Sequence, residues 1–95
     1  MNQGRISLTV EEIIEAFKYT AFEFSPEDNG KTGIATTKDG KQFHTNHGGA
    51  PLYEQTYDSV VHFNKDGLSF GSIGNNKVTL WTDETGKVHS MLNRY

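Results

Sequence analysis

The sequence predicts an α+β domain: an N-terminal amphipathic helix packed on an antiparallel meander sheet of about six short strands. Three observations carry that prediction. Apolar residues recur at helical spacing in only one stretch, near the start. Beyond residue 25 the chain breaks into short strand-like runs. Turn sequences ending in glycine separate them. With 95 residues, the chain suits a single core rather than two, so one compact domain spanning 1–95 is expected.

The helix is read from "LTVEEIIEAFKYTAF". Thr9 followed by Glu12 matches a capping box, in which each side chain bonds the other residue's free backbone N–H. Val10, Ile13, Ile14, Phe17 and Ala21 form the apolar stripe, while Glu11, Glu15 and Lys18 fall opposite. These residues predict a helix over about 10–22, stopping before Pro26.

The strands follow from the turns. Asp39-Gly40 predicts a two-residue hairpin between strands at about 32–37 and 41–45. "NKDG" (64–67) and "DETG" (83–86) predict type I turns closed by a glycine at positive φ. "GNNK" (74–77) predicts a two-residue turn at Asn75-Asn76, because asparagine tolerates positive φ. The remaining strands then cover about 56–63, 68–73, 77–82 and 87–93, with "NHGGAPLYEQ" as the long link.

Those turns also fix an expected register. Asn64 opposite Leu68 places His62 against Phe70; Gly74 opposite Lys77 places Phe70 against Trp81; Asp83 opposite Lys87 places Trp81 against His89. One face would hold Tyr57, Val61, Phe63, Ile73, Val78, Leu80 and Val88, with the Ile13/Phe17 stripe packed over it. The other would carry a row of His62, Phe70, Trp81 and His89, flanked by Val60, Leu68 and Met91. Such a row needs cover from the 32–45 hairpin or the 46–55 loop, burial in a homodimer, or a partner. A closed sheet, with that hairpin beside the 87–93 strand, would give it a lumen to line.

Composition narrows the function classes. The net charge is −3, from 12 acids and 9 bases. Residues 1–28 hold six acids against Arg5 and Lys18, giving −4 and leaving +1 for the rest. No basic cluster marks a phosphate-backbone footprint, and only Lys77 and Arg94 lie near the aromatic row, so nucleic acid is not an expected partner. The absence of cysteine removes disulfides, thiolate catalysis and the common zinc-finger ligand sets. No segment reads as a membrane span or signal peptide, and a cytoplasmic location is expected.

"HTNHGG" (44–49) is the one stretch that suggests metal chemistry. His44 and His47 point to opposite sides of a straight strand and share a metal only if the chain turns between them. No spacing picks out a third ligand, so a turn is the expectation and no cofactor is expected. "GLSFGSIG" precedes no helix and is not a phosphate-cradling loop.

The expected activity is therefore macromolecular contact without catalysis. An inhibitor or regulator of a larger protein fits best, a profile of size and composition shared by small viral and mobile-element proteins that block host enzymes. Its contact surface would be the aromatic face (His62, Phe70, Trp81, His89, Met91) or an acidic helix face (Glu11, Glu12, Glu15, Glu23). A second reading is a nucleotide-like ligand stacked between Trp81 and Phe70, with His62 or His89 bonding its edge. A third is a hydrolytic or metal site at His44/His47.

Overall fold

A computed structural model describes residues 8–92. Helix α1 (Val10–Phe17) precedes seven strands: β1 (Ala21–Phe24), β2 (Thr32–Thr36), β3 (Gln42–Asn46), β4 (Ser59–Val60), β5 (Leu68–Ile73), β6 (Asn76–Thr82) and β7 (Val88–Leu92). All ladders are antiparallel, in two sheets ordered β1-β2-β3 and β4-β5-β6-β7. The α+β class holds, with one strand more than expected and the strands divided between two sheets. Asn93, the expected end of the last strand, and Arg94 lie outside the described residues.

The capping box forms: the Thr9 hydroxyl accepts the Glu12 N–H at 3.2 Å, and the Glu12 carboxylate accepts the Thr9 N–H at 2.8 Å. The helix ends at Phe17 rather than near 22. Lys18 adopts the left-handed conformation (φ 63°) and its N–H closes on the Ile14 carbonyl. "AFEF" then alternates as β1, with Phe22 buried and Glu23 exposed. Ala21 fits a helical stripe and a strand equally well, and the αL cap before it decides for the strand.

Three layers result. Ile13 of α1 packs with Phe22, Ala35 and Phe43 on one face of the first sheet. Ile34, from the opposite face, joins Tyr57, Val60, Phe63, Val78 and Leu80 of the second half. The helix was expected on the inner face of the 57–92 strands; the first sheet occupies that face instead. The reason is visible in β2 and β3, where Gly33, Ile34, Ala35, Phe43, His44 and Thr45 are buried irrespective of side. A strand pair buried on both faces must form a middle layer. The link after β3 returns along its edge, pairing at Thr45↔Pro51 and again at Gln42↔Tyr57. Among the described residues no ladder joins β7 to the β2–β3 hairpin, and the described strands form two open sheets.

Four turns share one design. Thr37, Asn46, Asn64 and Asp83 each accept a backbone N–H from the glycine three residues on, at 2.9 to 3.1 Å. Those glycines, Gly40, Gly49, Gly67 and Gly86, have φ between 79° and 91°. Each opening side chain also bonds the N–H four residues ahead. Gly40 therefore closes a three-residue loop with Thr36 opposite Gln42, not the expected two-residue loop. "NHGG" (46–49) repeats the pattern of "NKDG" and "DETG", and this settles "HTNHGG" as a strand followed by a turn.

Two departures reset the expected row. At 73–76 the turn residues are Gly74-Asn75, with Ile73 opposite Asn76, because Gly74 supplies the positive φ (59°) at the first loop position. Phe70 consequently faces Thr79, and Trp81 faces Leu68. Between β4 and β5, Val60 stands opposite Gly71 while Asn64 bonds Leu68, so residues 61–63 oppose only 69–70. This bulge turns Val60 inward and leaves Val61 exposed, the reverse of the expectation.

Candidate functional site

The second sheet has an inner and an outer face, and the predicted site residues divide between them. On the inner side, His44 is fully buried (0% exposed) at the centre of the seam between the sheets. Its Nε2–H donates to the Val61 carbonyl at 2.7 Å, with Ser69 Oγ at 3.1 Å. Its Nδ1 accepts from the Tyr53 hydroxyl at 2.7 Å, an assignment of tautomer made from these partners. Tyr53 Oη in turn accepts the His44 backbone N–H at 2.9 Å, and the Ser69 hydroxyl donates to the Val61 carbonyl at 2.6 Å. Burial pushes the His44 imidazole down to about 4 and raises the Tyr53 phenol above its ordinary range. Both groups are neutral and hydrogen-bonded, which is how a dry interface tolerates them.

His47 is exposed on the 46–49 turn, and the ring nitrogens of His44 bond to Tyr53 and Val61 instead. Among the described residues, no group of three or more histidine, aspartate or glutamate side chains is placed to hold a metal ion. Both ring nitrogens of His44 are taken up by hydrogen bonds within the seam. Gly49 explains the rest of the motif. A Cβ there would collide with the Ile13 side chain, and the Gly49 carbonyl accepts the Tyr19 hydroxyl at 2.7 Å, so the turn is held beneath α1.

The acidic surface also divides. Glu11 and Glu15 are exposed on α1, whereas Glu12 is engaged in the capping box. Glu23 belongs to β1 and lies beside His62, with Oε2 3.3 Å from Nε2. The contact is close but poorly aligned, and both buried His62 nitrogens lack a hydrogen-bond partner. The bulge at 61–63 thus carries His62 away from the aromatic row toward the first sheet.

The outer face retains the other four residues, in two cross-strand rows. Phe70, Thr79 and Met91 form one; Leu68, Trp81 and His89 form the next. Trp81 stacks on His89 with ring centres 5.5 Å apart, and His89 Nε2 lies 2.8 Å from Asp83 Oδ2. Hydrogen bonds from Thr85 and His89 hold the Asp83 carboxyl well below its usual range. Phe70 is 52% exposed and Met91 60%, with Leu68 and Val61 also exposed. The 32–46 hairpin and the following loop cover the inner face, so neither covers these rows. Trp81 and Phe70 sit diagonally rather than opposite, and Trp81 already has His89 against its ring.

No described helix is long and apolar enough to cross a membrane. Set against known protein families, curated proteins and solved structures, the chain matches none.

Proposed function

We propose that this chain is a non-enzymatic binding protein that acts through the outer face of its second sheet, as an inhibitor or regulator of a larger protein. The observation that carries this is the adjacency of exposed apolar side chains: Phe70 and Met91 flank Thr79 across three strands, beside Leu68 and Trp81. An apolar cluster on a flat, rigid sheet is the physical form of a contact surface, because burying it releases water at little conformational cost. Aromatic and methionine side chains commonly anchor such contacts. His44 is committed to the seam by both ring nitrogens, so its bonding capacity is already spent within the fold.

The test uses the full chain as bait, in parallel with the double variant Phe70→Ser/Met91→Ser. A partner retained by the native chain should be lost by the variant, whose circular dichroism and melting temperature should stay close to native. A partner retained equally by both would remove this face as the contact surface.

A further inference from the structure

The free edge of the second sheet supports a more specific interaction. Its outermost strand, β7 (VHSML, 88–92), pairs with β6 alone among the described residues. Asp83 donates its N–H to the Lys87 carbonyl, which fixes the alternation along the ladder. His89 and Met91 therefore direct their backbone groups toward β6. Val88, Ser90 and Leu92 direct theirs outward, where no described strand meets them. Sheet edges are ordinarily protected by charge, brevity, bulges or cover. The other edges here have such protection: β1 carries Glu23, β3 is covered by bridges to Pro51 and Tyr57, and two-residue β4 adjoins a bulge and donates its Val60 N–H to the Gln42 side chain at 3.1 Å. β7 has five residues, no formal charge, no proline and no bulge.

We infer that β7 is a self-pairing edge, and that two copies of the chain join antiparallel across a two-fold axis at Ser90. The outward-facing set selects this register. With Ser90 opposite Ser90, Val88 meets Leu92 and Leu92 meets Val88, and every outward N–H and C=O finds a partner. Side chains match as well. Val88 and Leu92 form apolar pairs on one face, while Met91 of each copy lies opposite His89 of the other. The Phe70–Thr79–Met91 row then runs on into the His89–Trp81–Leu68 row of the second copy. No like charges face each other, which is why a second copy suits this edge better than a charged peptide strand. Five paired residues span roughly 17 Å and bury less than a standard interface, so the dimer is a weak one with a Kd on the order of micromolar or above.

The inference concerns the edge and is independent of what binds the outer face. Sedimentation of the full-length native chain should show mass rising from 10.6 kDa toward twice that value as concentration reaches the order of 100 µM. Ser90→Lys and Ser90→Glu each place two like charges on the axis and should each raise Kd at least tenfold. Their equimolar mixture should recover the dimer, since the charges then oppose. Ser90 is exposed, so both variants should retain native circular dichroism. A native chain that stays monomeric to the order of 1 mM overturns the inference. So does a mixture that fails to recover the dimer. Dimers lost with Phe70→Lys but unaffected at Ser90 would also overturn it, placing the contact on the face instead.

Discussion

The two faces of the second sheet are made from the same strands yet treat polarity in opposite ways. Against the inner face, a histidine from β3, the Tyr53 hydroxyl, Ser69 and the Val61 carbonyl meet in the seam between the sheets, and hydrogen bonds join all of them. On the outer face, large apolar groups lie in water, and no described element covers Phe70 or Met91. The inner polar groups serve the fold because they are paired. The outer apolar groups add little to the fold because they are exposed. Stability thereby rests on one side of the sheet, and the proposed contact surface lies on the other.

Breaking the inner network should have the largest effect. His44→Ala removes a buried ring, leaves a cavity, and deprives the Tyr53 hydroxyl of its acceptor; denaturant unfolding should show a loss of about 3–5 kcal/mol. His44→Phe restores volume without the acceptor and should lose less.

Acid attacks the same network more gently. The folded-state pKa of His44 is lowered from 6.5 to about 4, so the unfolded chain takes up the proton first as pH falls. The stabilising contribution is complete above pH 6.5 and is lost progressively toward about pH 4. It amounts to about 3 kcal/mol at most, taking each pKa unit as ~1.4 kcal/mol. Urea midpoints measured between pH 7 and 4 should fall in the native chain. His44→Phe should flatten that fall; an equally steep fall in the variant would assign the dependence to other groups.

The smallest effect is expected on the outer face. Phe70→Ala should change stability by about 1 kcal/mol, since about half of the residue is already in water. A loss as large as that of His44→Ala would mean the two faces are not divided as described.

The contrast was partly legible in the sequence. Alternation assigned Phe70, Trp81, His89 and Met91 to one face, and a register shift by two residues preserves that parity, so all four remain together. His62 was lost from the group because a bulge adds one residue and reverses the alternation, and no turn motif announces it. β1 was hidden by Ala21 and Phe22, which fit either period. The role of His44 depends on Tyr53, Val61 and Ser69, all distant in sequence, and no local pattern connects them. The nature of "NHGG" was visible in principle: it has the asparagine-to-glycine spacing of "NKDG", obscured by His47 within it and His44 two residues before it.

Ile34 and Ala35 are consecutive residues of β2, yet one belongs to the core beneath the second sheet and the other to the core beneath the helix. That peptide link, together with Tyr53, whose ring packs against both groups, ties the two hydrophobic clusters to each other. Withdrawing β2 takes Ile34 from one core and Ala35 from the other, so the two halves are expected to open together. The chain should melt in one transition, with the amides of β2 and β3 exchanging with solvent only through global unfolding.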